Sequence, residues 1–432
     1  MPILRSMGSS SSKKSCSNVE VVKELRMSFV KNVQLLLLLC LPSLSLFGQS
    51  PEDASTWNES YLDSLALYWP DNTIENPIGA PAWNPKKGKR LTIVQLGDSH
   101  IQGDFSSCAT RNYLTDRFGI ELPPRGFAFP YGMARTNEPL DLKSSSANRK
   151  GWTPTLSTKN RNPQPLGLSS SAIEAKNVNS TLHLRFLPER GYTSLPKIVS
   201  ILYAPSENVP LPLLNGESPI DIDTTRGVAT FHFDEPPAKL NLTLKKSSPA
   251  DSPFRLLGFV FDNEASPLIY HAAGLNGADV NAYLRNTALP LELEILKPDI
   301  IIISLGTNDA YNRGFDPLLF ASNLRMLIRQ LQASCPGVFV ILTTPNDHLL
   351  RTREVNPRVE AASEVIRNLA VEQEVGLWDF NRIMGGTGSI HSWFNHGLTA
   401  HDCLHLSPQG YRLQGKLLGV ALYRLLIQQR GK

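Results

Sequence analysis

The sequence predicts an α/β protein: a three-layer arrangement with a parallel sheet between helices, interrupted by an inserted all-β module. Three observations carry this expectation. Residues 91–96 (LTIVQL) and 299–305 (DIIIISL) are apolar runs of the kind that central parallel strands show when helices cover both faces. From residue 268 onward, strand-like and helix-like segments alternate with short links, the pattern of a parallel sheet with crossover helices. Between about residues 140 and 263 the helical period vanishes, and short alternating runs recur among Pro, Ser, Asn and Gly clusters.

The chain's 432 residues, 41% of them hydrophobic, suffice for two compact units with their own cores. Residues 1–49 read as a secretory signal region with its expected true start at Met27. Basic Lys31 precedes an apolar run over 33–41 that contains five consecutive leucines, and a cut is expected after Gly48 or Gln49. That run is too short to span a bilayer, and Leu39 before Cys40 is not the small residue that lipidation favours. The expectation is therefore a periplasmic or secreted protein with no stable membrane span after leader removal. The leader holds six Lys/Arg and two Glu, so the formal charge of +4 belongs to it and the remainder is balanced. Nothing in that balance points to nucleic acid or an anionic membrane as partner. Beyond the leader Cys108, Cys335 and Cys403 allow one bridge, Cys108 to Cys403, but three free buried thiols are expected.

Residues 50–90 form an extension and linker, with helical spacing over 57–69, then prolines, then a basic turn at 86–90. Residues 91–139 give the first part of the α/β unit: the strand, a helix over about 104–118, and a stop at 123–126 (PPRG). Residues 140–265 give the β module. Its runs at 181–186, 197–203, 228–233, 240–244 and 256–261 predict an antiparallel sandwich or jelly roll that either contacts carbohydrate or walls the cleft. Residues 266–432 complete the α/β unit. Strands are expected at 268–273, 299–305, 338–342 and 377–380, with helices at 279–296 (broken at Pro290), 316–334, 359–374 and 407–429.

Chemistry-bearing residues fall where these strands end. Ser99 stands two residues beyond Gly97, where the carboxyl end of a strand opens toward the ligand crevice of an open α/β sheet. An Asp-Ser helix cap explains the same residues. The Gly274-Leu-Asn-Gly277 and Gly306-Thr-Asn-Asp309 stretches read equally as turns, and Asp402-Cys-Leu-His405 as a solvated loop pair.

Taken together and in this order, the four blocks resemble the SGNH (GDSL-like) hydrolase family, over about half the chain in two pieces. The resemblance implies a flavodoxin-like α/β/α fold, with Ser99 as nucleophile and Asp402 and His405 completing the triad. The backbone N–H groups of Ser99 and Gly277 and the side-chain amide of Asn308 are then the oxyanion donors. His100 stands where the common form has leucine, and this Gly-Asp-Ser-His form resembles the branch containing peptidoglycan O-acetylesterases. The implied substrate is an O-acetylated glycan, peptidoglycan first, with another acetylated polysaccharide or a lipid/acyl ester as the alternative, and with no cofactor and no metal.

Those residue types suit serine acyl transfer on physical grounds. A serine hydroxyl needs a base to take its proton, an orienting carboxylate fixes the histidine tautomer, and neutral donors stabilise the oxyanion. Asp98 and Asp309 are expected to bond turn backbone, and His100 either to line the cleft or to serve structure. Zinc is the rival suggested by His391, His396, His401, Cys403 and His405, whose spacing fits no standard metal motif. A non-catalytic glycan-binding protein is the rival of another class. A dinucleotide site lacks its Gly-x-Gly-x-x-Gly turn, and an α/β-hydrolase elbow lacks glycine where Ile101 stands.

Overall fold

A computed structural model describes residues 66, 69, 72–191, 193–246 and 252–428; the leader and the extension before residue 66 lie outside them. Strand β1 (Leu91–Gly97) is buried along its whole length. Its side chains alternate between two cores, Leu91 and Ile93 entering one, Val94 and Leu96 the other. Eleven short strands, β2 to β12, follow before the parallel sheet resumes with β13 (Leu268–Gly274), β14 (Ile300–Ser304), β15 (Phe339–Thr343) and β16 (Gly376–Trp378). All neighbours in this sheet are parallel, and β1 lies between β13 and β14, giving the order second, first, third, fourth, fifth. The strand order therefore reverses beside β1, which places a ligand crevice at the carboxyl ends of β1 and β14.

Helices α1 (Ser99–Gln102) and α2 (Phe105–Phe118) follow β1. Then come α3 (Val280–Leu284), α4 (Leu289–Leu296), α5 (Thr307–Tyr311), α6 (Pro317–Ser334), α7 (Arg358–Glu372) and α8 (Pro408–Gln428). One sheet face packs against α2 and α8, the other against α6 and α7. Helix α8 approaches α2 through Gly415, where a Cβ would stand 2.0 Å from the Ser106 carbonyl oxygen.

The helix expected over 104–118 forms as α2, and the short α1 precedes it as a separate piece that the sequence reading did not expect. Gly103 ends α1, and Asp104 adopts a left-handed conformation (φ 62°) before α2. Its carboxylate, fully buried, takes hydrogen bonds from Ser107, Arg111 and Arg125, which supply the compensation such a residue needs. The break expected at Pro290 falls before it, between α3 and α4, because proline fits the first turn of a helix. The last strand is shorter than expected, since Phe380 already starts a helical turn.

The β strands between are β2 (Gly126–Ala128), β3 (Leu142–Ser145), β4 (Trp152–Leu156), β5 (Ser171–Ala175), β6 (Leu182–Phe186) and β7 (Ile198–Tyr203). They continue as β8 (Leu211–Leu214), β9 (Asp221–Asp223), β10 (Val228–His232), β11 (Lys239–Lys245) and β12 (Arg255–Asp262). One sheet runs β4-β5-β12-β7-β10-β9 with β2 on β12; the other runs β3-β6-β11-β8; the paired strands of both are antiparallel. The antiparallel pairing reaches back to residue 126, because the stretch after the PPRG sequence pairs with β12 (Ala128 opposite Phe259). Alternating residues such as Leu182, Leu184 and Phe186 turn inward. They join the same apolar cluster as Val94, Leu96 and the faces of α6 and α7, so module and hydrolase unit share one core. Asp104, Arg111, Arg125 and Asp141 add a buried ionic junction between α2 and the module. Among the described residues no helix is long and apolar enough to cross a membrane. Cys108, Cys335 and Cys403 are free and buried, and the Cys108 thiol donates to the Gly191 carbonyl.

Candidate active site

Strand β1 ends at Gly97 because the chain must turn in a confined space, where a Cβ would stand 2.3 Å from the Ile101 side chain. Asp98 caps α1, its carboxylate accepting the His100 N–H at 2.9 Å, and Ser99 is the first helical residue. The two readings of Asp98-Ser99 thus separate by residue: Asp98 is the cap, and Ser99 is left for other partners. Ser99 Oγ lies 2.9 Å from His405 Nε2, and His405 Nδ1 lies 2.6 Å from Asp402 Oδ2. The other Asp402 oxygen accepts the N–H groups of Leu404 and His405 at 3.0 and 2.9 Å. Burial works to raise the Asp402 carboxyl, yet the bonds from His405 and the two backbone donors outweigh it and hold it below the ordinary carboxylate range.

Gly277 and Asn308 line the same pocket as Ser99 and His405, a space of about 380 Å³. Gly277 has φ +78°, a conformation that excludes most side chains, and a Cβ there would meet no protein atom within 4 Å. Among the described residues, no acceptor takes the N–H of Ser99 or Gly277. Asn308 differs from the sequence expectation of a free donor. Its Nδ2 already donates to Ala278 O at 3.0 Å and to Asp98 Oδ2 at 3.2 Å, so an oxyanion must compete for one of these hydrogens. Burial pushes the Asp98 carboxyl up to about 6, against the His100 N–H and the His405 charge.

Asp309 accepts the Val280 N–H at 3.3 Å and so ties the Asn308 loop to the helix after Gly277. Burial first, and then the Asp279 carboxylate, push Asp309 up to about 7. His100 does not line the pocket. It is buried behind His405, ring centroids 5.2 Å apart and planes 30° from parallel, with Nδ1 3.0 Å from the Tyr411 hydroxyl. Burial, and then the His405 and His348 charges, lower its pKa well below the ordinary value and keep it neutral. Among the described residues no group of three His, Cys, Asp or Glu side chains is arranged to hold a metal ion.

Gln102 and Tyr411 carry site geometry that sequence reasoning missed. Buried Gln102 donates to Thr136 Oγ1 and Asn137 O and accepts from the Asn276 N–H, stapling two loops to the helix that carries Ser99. Its position three residues after Ser99 was the sole signal for it, and Tyr411 at the start of α8 carried none.

Residues 248–413 match the model of the GDSL-like Lipase/Acylhydrolase family. That stretch holds Gly277, Asn308, Asp402 and His405; Ser99 lies outside it and joins them through the parallel pairing of β1 with β13 and β14. Over residues 248–413 the chain accordingly matches a GDSL-like hydrolase domain, the domain of an enzyme acting on ester bonds. Its fold is shared with a solved peptidoglycan O-acetylesterase at 21% identity and TM-score 0.67, over 81% of this chain and 98% of that one. A lipase/acylhydrolase from Enterococcus faecalis matches at 27% identity and TM-score 0.29, over 35% of this chain and 74% of that one. A catalytic mutant of an acetylxylan esterase from Geobacillus stearothermophilus matches at 19% identity and TM-score 0.29, over 38% of this chain and 74% of that one. No curated protein sequence matches the chain.

Proposed function

We propose that this hydrolase removes O-acetyl groups from a carbohydrate, peptidoglycan being the leading substrate, through an acetyl-Ser99 intermediate. The observation that carries the reading is the unbroken hydrogen-bond relay from Ser99 through His405 to Asp402, beside a pocket that Gly277 and Asn308 also line. The likeness of fold to a peptidoglycan O-acetylesterase supports the choice of polymer.

In this mechanism His405 Nε2 takes the Ser99 proton as Oγ attacks the acetyl carbonyl, and Asp402 stabilises the imidazolium through Nδ1. Negative charge develops on the former carbonyl oxygen. The Ser99 and Gly277 N–H groups meet it, and Asn308 turns a hydrogen away from its longer bond to Asp98. His405 then protonates the departing sugar oxygen. A water activated by the same imidazole attacks acetyl-Ser99, releasing acetate and returning the proton to Oγ. No cofactor enters these steps. The leader expected over residues 1–49 supports action outside the cytoplasm, where such a glycan lies.

The test is acetate release from O-acetylated peptidoglycan, acetylxylan and other acetylated polymers by wild type and Ser99→Ala. Release from peptidoglycan by wild type and none by the variant, with equal melting temperatures, is expected. Full turnover by Ser99→Ala overturns the mechanism. Binding without release from any polymer favours a glycan-binding protein.

A further inference from the structure

The four-stranded sheet of the β module has an outer face whose charges contradict what a merely solvated face would select. Lys143 on β3, Arg185 on β6 and Lys239 on β11 stand directly opposite one another on three adjacent strands. Like charges at directly opposed positions repel and destabilise a sheet. Neither Arg185 nor Lys239 makes an ion pair with a carboxylate among the described residues, and Lys143 has one long contact, 3.7 Å to Glu138. The next row, Ser145, His183 and Asn241, adds hydrogen-bonding groups and no acid. A chain of balanced charge outside its leader has therefore gathered cations in one place.

These rows line a groove of about 650 Å³. It shares Lys143 and Ser145 with a second hollow of about 400 Å³ that runs past Arg149 and Arg135 to Thr136. Thr136 is the neighbour of Asn137, which lines the Ser99 pocket, and its hydroxyl bonds Gln102 and Asn276 there. The two basic hollows adjoin, and the second reaches the residue next to the ester pocket, with Glu138 the one acid among the residues lining the three spaces.

We infer that this face binds the anionic length of the peptidoglycan strand whose acetyl group sits at Ser99, through the free carboxylates of its peptide stems. The inference rests on the proposed substrate and deepens it: module and pocket recognise one polymer, the pocket reading the ester and the sheet reading the charge. Charge complementarity along the adjoining hollows, with no opposing acid in the cationic rows, selects this occupant over a neutral glycan.

The test combines Lys143→Gln, Arg185→Gln and Lys239→Gln in one variant, whose exposed positions lose their mutual repulsion and the long Lys143–Glu138 contact. Turnover of a small soluble acetyl ester is expected to stay at the wild-type level. On O-acetylated peptidoglycan kcat/KM falls about tenfold, as three exposed ion pairs acting together imply, and its salt dependence flattens. An unchanged polymer rate, or equal losses on both substrates, overturns the inference. Co-sedimentation of Ser99→Ala with insoluble peptidoglycan separates this outcome from failure of the esterase reading, because it needs no turnover. Binding is expected to weaken when the stem carboxylates are amidated or the three cations are replaced. Binding indifferent to amidation overturns the charge argument, and tighter binding to an acetylated uronate polymer overturns the choice of peptidoglycan.

Discussion

Replacing Asp402 by asparagine is expected to harm catalysis more than replacing it by alanine, and the reason lies in three hydrogen bonds. Asp402 Oδ1 accepts two backbone N–H groups, from Leu404 and His405, while Oδ2 faces His405 Nδ1. An asparagine must keep its carbonyl oxygen toward the two backbone donors, because its NH₂ there would face them donor to donor. The NH₂ then points at His405 Nδ1 and donates to it. That leaves the imidazole proton on Nε2, the tautomer unable to accept from Ser99. Alanine imposes no tautomer, and water can reach Nδ1, since the Asp402 side chain is 48% exposed. The buried aspartate of the chymotrypsin-type triad is worth ~10⁴ in kcat when changed to asparagine. Solvent access at Asp402 reduces this, and we expect about 10³-fold loss for Asp402→Asn against about 10²-fold for Asp402→Ala. Steady-state turnover of a soluble acetyl ester at pH 7 to 8 measures both, with melting temperatures as the folding control. Asparagine more active than alanine would refute the tautomer argument, and an alanine variant at wild-type rate would refute the role of Asp402 altogether.

Asn308→Ala is expected to lower kcat by about 10²- to 10³-fold with little change in KM, as loss of one oxyanion donor does. The same variant leaves Ala278 O and the buried Asp98 carboxylate short of a donor, so denaturant titration should show about 1–3 kcal/mol less stability. Loss of stability at unchanged kcat would assign Asn308 to structure alone. Asp309→Asn tests a buried acid whose pKa rises from 3.8 to about 7 on folding. The folded wild type holds that proton more tightly than the unfolded chain, so its stabilising effect is complete below pH 3.8 and disappears as pH rises to about 7. The shift corresponds to about 4 kcal/mol, so the stability advantage of the variant over wild type should grow by that order between pH 4 and 8. Parallel pH profiles for the two proteins would contradict it.

Most of the sheet could be read in advance because parallel central strands announce themselves as runs apolar on both faces: residues 91–96 and 299–305 became β1 and β14 almost to the residue. The β module was legible as alternation, since strands such as β6, β10 and β11 bury every second residue and leave the others wetter. What escaped is set by tertiary contact. The short α1, and its separation from α2 at Asp104, went unread because Arg111 and Arg125, the latter 21 residues away, compensate the buried charge and left-handed backbone of Asp104. The start of the module at Gly126 depends on pairing with Phe261, which no local pattern announces. At the site, Ser99, Asp402 and His405 meet as the block order implied. The engagement of Asn308 by Asp98 and Ala278, and the place of His100 behind His405, depend on packing that the motif does not encode. Gln102 staples loops from distant parts of the chain, so its sequence neighbours say nothing of it.

The splice of the β module into the crossover between β1 and β13 makes activity a readout of completeness. Leu91 pairs with Leu268 only after the whole module has been threaded between them, and the module's core is continuous with the one under the sheet. Closing so long a loop costs little extra free energy, since the penalty grows only with the logarithm of length, but contacts so far apart in sequence form slowly. Ser99 enters with the first strand of the sheet and His405 just before the last helix, so a chain that stops short of residue 405 has no relay. Esterase turnover therefore counts molecules whose sheet has closed from its first strand to the loop before the last helix.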